Sequence, residues 1–322
     1  PKKIFLIAAA RPNFMKVAPL WRAMAERPDS LKPVLIHTGQ HYDKNMSDVF
    51  FEDLGLPVPD VHLGVGGGTH AQQTAAVMVK FEQLCLREQP DLVVVVGDVN
   101  ATMATSVTAA KLHLPVAHVE AGLRSRDMTM PEEINRLITD GIADLLFTPS
   151  PDADENLRNE GVDPGRIKLV GNIMIDSLVR SAARARDLTA YGDLGLDRQG
   201  YGVVTLHRPG NVDDPENLAR IFDILTAVDL PLVFPVHPRT RGIMVEHDLS
   251  ARCGLLDSRL ILADPLGYYD FMNLVIHAKL MLTDSGGLQE ETTYLGVPCL
   301  TLRPNTERPI TISQGTNAVS YT

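Results

Sequence analysis

The chain has 322 residues, 44% apolar and 22% charged, and its 40 acidic and 30 basic residues leave a formal net charge of −10. At about 150 residues per domain that length predicts two domains with room for a full core and no need of disulfide or metal staples. The composition excludes widespread disorder, collagen and coiled coil, and an acidic chain without a lysine-rich block is not built to wrap nucleic acid.

Short continuous apolar runs recur along the chain, at 4–10, 33–37, 92–97, 115–119, 145–148 and 167–170, and again at 201–206, 231–236, 260–262, 279–283 and 297–301. Continuous rather than alternating runs read as strands buried on both faces, the pattern of parallel sheets. The first run resembles a signal peptide only briefly, because Arg11-Pro12-Asn13 interrupts it. No run approaches the ~18 residues of a membrane span, so no membrane partner is expected. Residues 69–88 read as a helix: Thr69 with Gln72 forms a capping box, and Ala75, Ala76, Val79 and Leu86 mark its expected apolar face. Alternating strand and helix predicts an α/β fold of two Rossmann-like, doubly wound parallel-sheet domains facing a cleft. The boundary is expected near 165–190, giving an N-terminal domain over 1–170 and a C-terminal domain over 171–322. Cys85, Cys253 and Cys299 are scattered, which fits a reducing, cytoplasmic compartment and offers no metal-ligand spacing.

Ligands of open α/β sheets sit beyond the carboxyl ends of the strands, so the residues after each run matter most. After 4–10 come Arg11 and Lys16, either an anion site at a helix N-terminus or two solvated cations. After 92–97 comes Asp98, and after 115–119 comes Glu120. Two acids from neighbouring strand ends suit proton removal and delivery, while the plain alternative is that Asp98 caps a helix and Glu120 pairs with Arg124. Pro131 suits a helix start, and Glu132 with Arg136 at i, i+4 reads as a surface pair. His207 and His237 follow two further runs, each near an arginine, and suit a diphosphate better than a metal. Asp284-Ser285-Gly286-Gly287 after 279–283 is the sharpest signal. Two glycines opening a helix let backbone N–H groups hold a phosphate, and Glu291, further along, can take a ribose hydroxyl pair. Arg308 is a further bidentate anion ligand.

The ordered motifs RPNFMK (11–16), TGQHYD (38–43), GDVNAT (97–102), HVEAGLRS (118–125), PEEINR (131–136), TLHRP (205–209), PVHPRT (235–240), TDSGGLQEE (283–291) and TERP (306–309) span nearly the whole chain. On these the chain resembles the non-hydrolysing UDP-N-acetylglucosamine 2-epimerases, which look like two-domain GT-B glycosyltransferases. The resemblance implies interconversion of UDP-GlcNAc and UDP-ManNAc by elimination of UDP to a bound 2-acetamidoglucal and re-addition, with no cofactor and no metal. It implies that Asp98, Glu120 and Glu132 move the C2 proton and steady the cationic centre, and that His207 assists departure and return of the diphosphate. Arg11, Lys16, Arg136, His237, Ser285, Gly286, Gly287, Glu291 and Arg308 would hold the UDP-sugar. Gln40 and His41 match the start of the family's helper-substrate (allosteric) segment, although Tyr42-Asp43 follow and its second glutamine is lacking. The family further implies a homodimer and a C-terminal domain followed by closing helices, which are expected to be lacking from the sequence as it ends at Thr322. The rival readings are a hydrolysing epimerase, an epimerase of a related UDP-diacetamido sugar, a GT-B glycosyltransferase, and a non-catalytic nucleotide-sugar binder.

Overall fold

The computed structural model describes residues 1–9, 11–39, 54–255 and 259–320, the side chains of residues 11 and 12 excepted. The chain divides into two compact units, Pro1–Ser177 and Leu178–Thr322. The division falls inside the helix Ile173–Arg186.

The first unit is built on seven strands: β1 (Lys2–Ala8), β2 (Leu31–His37), β3 (Val61–His62), β4 (Leu92–Val96), β5 (Val116–Val119), β6 (Leu145–Thr148) and β7 (Ile167–Leu169). Their order across the sheet is β3-β2-β1-β4-β5-β6-β7, and every pairing is parallel. The continuous apolar runs become strands covered on both faces. Ile4, Phe5, Leu6 and Ile7 are all buried, as are Val93 to Val96. The core gathers Phe5, Ile36, Phe81, Val93, Val95, Leu146 and Leu157.

The second unit repeats the plan with β8 (Gly202–Thr205), β9 (Leu232–Pro235), β10 (Leu260–Ala263), β11 (Leu280–Thr283), β12 (Cys299–Thr301) and β13 (Asn317–Val319). The order is β10-β9-β8-β11-β12-β13, again with parallel pairings. Its core centres on Val204, Leu218, Phe222, Phe234 and Leu282.

Two helices show what local sequence conveys and what it leaves open. Thr69 caps the helix His70–Glu88, its hydroxyl accepting from the Gln72 N–H while the Gln72 side chain returns to the Thr69 N–H, as the capping box predicts. The expected apolar face is corrected. Val79 and Leu86 are exposed, and the helix buries Val77, Phe81, Leu84 and Cys85 instead. Phe81 decides the phase, since its ring packs against Phe5 on β1 at 6.3 Å. The helix Pro131–Ile142 is inverted in another sense. It buries Glu133, Asn135, Arg136, Thr139 and Asp140 and turns Ile134, Ile138 and Ile142 outward. Its inner face is therefore available for polar chemistry rather than core packing.

Candidate active site

In each unit the strand order reverses once, between β1 and β4 in the first and between β8 and β11 in the second. Connections leave in opposite directions at such a point and open a crevice at the carboxyl ends of the strands. Of the residues singled out from sequence, Lys16 and Asp98 follow β1 and β4, and His207 and Ser285 follow β8 and β11, at these two places, while Glu120 and His237 follow the neighbouring strands β5 and β9.

In the first unit, β1 feeds the helix Arg11–Ala25, β4 ends in Gly97-Asp98, and β5 ends in Glu120. Lys16 Nζ is ion-paired with Glu120 Oε2, and both residues are buried. Glu120 adopts a left-handed backbone (φ 72°), which costs a non-glycine residue roughly 1–2 kcal/mol and turns its side chain back toward β1. Gly97 makes the pairing possible, because a Cβ there would sit 3.0 Å from Lys16 Nζ and 3.5 Å from Glu120 Oε2. Asn13 fixes the entry of the same helix, accepting from the Ala9 N–H and donating to the Val96 carbonyl.

Asp98 does not cap the next helix. That N-cap is Val99, with no side-chain bond, and the Asp98 carboxylate instead accepts from Arg136 Nη1 at 2.5 Å. Arg136 is itself buried and gripped by Glu133 Oε2, at 3.0 Å from Nε and 2.7 Å from Nη2. Glu133 also accepts the N–H groups of Ser125 and Arg126. Burial alone would push the Glu133 carboxyl up, but the Ser125 N–H and Arg136 outweigh it and hold it below the ordinary glutamate range. Glu132 is half-buried in the first turn of the helix, where the dipole favours an acid.

Nor does Arg124 take Glu120. It bonds Glu160 through Nε (2.8 Å) and Nη2 (2.6 Å) and Asp140 through Nη1 (2.7 Å). Asp140 in turn meets His118 Nδ1 at 2.6 Å, and His118 Nε2 meets the Gly97 carbonyl at 2.8 Å. This buried chain of side chains ties the helix Pro131–Ile142 to the peptide that carries Asp98.

In the second unit, β8 leads to His207, half-exposed, with Nδ1 2.7 Å from Asp284 Oδ1. His237, after β9, is exposed and caps the helix Pro238–Glu246, its Nδ1 accepting from the Arg239 N–H at 3.2 Å. Ser285 is the N-cap of the helix Gly286–Leu295 and makes no side-chain cap bond. Its own N–H is taken by Thr283 Oγ1 at 2.9 Å, so an anion in the cradle would meet the following N–H groups, from Gly286 and Gly287 onward. Gly286 has a packing reason as well, since a Cβ there would collide with the Arg308 guanidinium and the Glu307 carboxylate.

Arg308 is engaged by two acids, Glu290 at 2.6 Å and Glu307 at 2.5 Å, and Glu307 also takes Arg303 at 2.5 Å. The structure thus places Arg308 beneath the cradle, in a buried and compensated cluster. Glu291 lies beside that cluster, buried, and its Oε1 makes no hydrogen bond among the described residues. Burial, with the charge of Glu290, pushes its carboxyl up to about 8. A folded-state value raised this far binds a proton that the unfolded chain releases near 4.5, so its stabilisation is full below 4.5 and lost as the pH rises through about 8. Glu291→Gln should flatten the fall in unfolding temperature between pH 5 and 8. If Glu291 receives ligand hydroxyls as a carboxylate, ligand binding at pH 7 should also release close to one proton. Calorimetry in two buffers of different ionisation heat checks this, and no release in the wild type contradicts it.

The motifs reached Asp98, Glu120, Lys16, Arg136, His207, Ser285 and Glu291 at these two sites. His118, Glu133 and Asp284 lie within the same motifs but carry no role readable from sequence, and Asp140 lies outside them; these four are the partners that hold the site in place. Arg11 opens the helix Arg11–Ala25, but its side chain, like Gln40 and His41, lies outside the described residues. Among the described residues there is no cluster of three or more His, Cys, Asp or Glu suited to a metal ion, and no helix long and apolar enough to cross a membrane.

Residues 22–322 match the family model described as UDP-N-acetylglucosamine 2-epimerase. The UDP-2,3-diacetamido-2,3-dideoxy-D-glucuronate 2-epimerase of Pseudomonas aeruginosa is 43% identical over 324 residues, covering 98% of this chain and 88% of that protein. The UDP-N-acetylglucosamine 2-epimerase of Methanocaldococcus jannaschii is 41% identical over 322 residues, covering 98% and 87%. A crystal structure of the Methanocaldococcus jannaschii UDP-GlcNAc 2-epimerase in complex with UDP-GlcNAc and UDP superposes with a TM-score of 0.90 at 40% identity, over 99% of this chain and 88% of that one.

Proposed function

This chain belongs to the UDP-N-acetylglucosamine 2-epimerase family and is thereby an epimerase, an isomerase of GT-B-like fold, and we propose that it inverts C2 of UDP-GlcNAc to give UDP-ManNAc without hydrolysing it. The observation that carries this reading is the pair of strand-end acids, Asp98 and Glu120, each clamped by a buried cation where the first sheet reverses its order.

The C2 hydrogen of an N-acetylated sugar is barely acidic, so its removal requires the C1–O bond to be largely broken first. Carboxylates near the sugar favour the positive charge that develops there, and donors on the diphosphate favour its departure. Asp98, Glu120 and Glu132 take the C2 proton from one face and supply one to the other. Lys16 and Arg136 orient Glu120 and Asp98, a different duty from gripping UDP directly. His207 meets the diphosphate, the N–H groups after Ser285 cradle it, and Glu291 takes the ribose hydroxyls. The glycal intermediate stays bound and UDP adds back, so no oxidant or reductant is consumed.

A second substrate is favoured by one comparison, since the Pseudomonas aeruginosa relative, at 43% identity, acts by name on a UDP-2,3-diacetamido uronic acid. Product analysis by proton NMR tests both. The expected result is a C2 epimer with UDP still attached, and kcat/KM for UDP-GlcNAc exceeding that for the diacetamido uronate. The reverse ratio transfers the assignment to the second sugar. Free sugar plus UDP shows a hydrolysing enzyme, and turnover only with an added acceptor shows a glycosyltransferase.

A further inference from the structure

β8 and β11 are paired neighbours with Thr205 in register opposite Thr283, their hydroxyls 2.8 Å apart. The chain leaves both strands where the sheet order reverses, so His207 and Asp284 emerge side by side. Asp284 is completely buried. Its Oδ2 accepts the N–H of His207 at 3.0 Å, the N–H of Arg208 at 2.9 Å and Asn211 Nδ2 at 3.0 Å. Its Oδ1 faces His207 Nδ1 at 2.7 Å, and Arg303 Nη1 reaches its carbonyl oxygen at 3.4 Å. Burial would push this carboxyl up, but the His207 ring, the Arg208 N–H and Asn211 outweigh burial and hold it below the ordinary aspartate range. No step of the reaction proposed above uses Asp284.

We propose that Asp284 is a positioning residue that keeps a hydrogen on His207 Nδ1 and so commits Nε2 to the diphosphate of the nucleotide. The inference rests on the reading of His207 given under the proposed function and deepens it. An ionised carboxylate only accepts, so the ring nitrogen facing it carries hydrogen. The other nitrogen, on a side chain that is 54% exposed, is then the one that exchanges a proton with ligand. As the C1–O bond breaks, Nε2 gives its proton to the departing phosphate oxygen, and it recovers that proton when the oxygen re-adds to C1. The collar of two backbone N–H groups and one amide fixes the carboxylate, so the ring is oriented before substrate arrives.

Asp284→Asn in the full chain tests this. The amide nitrogen would face donors or the ring, which favours the opposite tautomer. The expected result is a fall in kcat of about a hundredfold or more, with KM and UDP affinity within about threefold. The double variant with His207→Gln should be no slower than His207→Gln alone. Multiplying losses would mean that Asp284 acts independently of the ring, and would overturn the proposal. A second measurement needs no variant. Nitrogen-15 spectra of the wild type should show the neutral ring with its hydrogen on Nδ1. A neutral ring with its hydrogen on Nε2 overturns the proposal directly. Wild-type turnover in His207→Gln would instead remove the role of His207 at the diphosphate, and the nitrogen spectrum would then report separately whether Asp284 sets the ring.

Discussion

Glu120→Gln is expected to lower the rate of epimerisation by about 10³-fold, within the 10²–10⁴ range that a positioned acid or base contributes. The substitution keeps the volume and leaves an amide oxygen to accept from Lys16, so the clamp at Gly97 persists. What is lost is the ability to carry a proton or oppose positive charge at the sugar. UDP affinity should stay within about threefold, since the groups assigned to the nucleotide lie in the second unit. Steady-state kinetics with UDP titration on the same preparation checks both. A variant retaining more than about a tenth of wild-type turnover would remove Glu120 from the chemistry and leave it a structural partner of Lys16.

Glu133→Ala is expected to be the most destabilising single change at the site. It strips Arg136, only 2% exposed, of a carboxylate held at 2.7 Å, and leaves the N–H groups of Ser125 and Arg126 without their acceptor. Arg136 keeps Asp98 at Nη1 and is then only partly compensated, and with the two orphaned N–H groups the loss is expected to be about 3–5 kcal/mol. In a unit of this size that is a drop of roughly 6–20 °C in unfolding temperature. Glu133→Gln should fall between, since one oxygen remains to accept. The pH dependence has a definite sign. A carboxyl held low in the folded state contributes stability above its ordinary value of 4.5 and loses it as the pH falls below that. The gap between wild type and Glu133→Gln should therefore narrow in acid. Thermal unfolding at pH 7 and pH 4 measures it, and a loss under about 1 kcal/mol for the alanine variant would show that Asp98 suffices to compensate Arg136.

Both predictions concern residues of contrasting legibility. Glu120 is visible in sequence because a buried strand ends and a carboxylate follows at once, and the same logic exposes Asp98, His207 and Ser285. Glu133 is not, since Glu132 and Glu133 are equivalent in a first helical turn and only the tertiary direction of the helix selects which one turns inward. Asp284 and Asp140 escape for a similar reason. Each is an ordinary acid whose role depends on a histidine from another element, brought close by the fold rather than by spacing in the chain. Continuous apolar runs locate most strands but not β3, which is only two residues long, nor β13, Asn317–Val319, which opens on a polar residue and follows the polar stretch Gln314-Gly315-Thr316. The helix His70–Glu88 shows the limit of periodicity. Its cap is legible and its buried face is not, because Phe81 selects a phase that several apolar stripes would allow. The Ser-Gly-Gly turn reads in sequence as an anion cradle, and the structure adds the reason that Gly286 cannot be larger: the buried Arg308–Glu307 pair lies against it.

The proposition beneath all of this is that the carboxylates at the first sheet's reversal move a proton at C2 of a UDP-sugar. Running the reaction to equilibrium in deuterium oxide and reading C2 by NMR tests it most directly. The account predicts deuterium at C2 of the epimer with UDP still attached, and its loss in Glu120→Gln. Epimer formed with protium retained at C2 would contradict it.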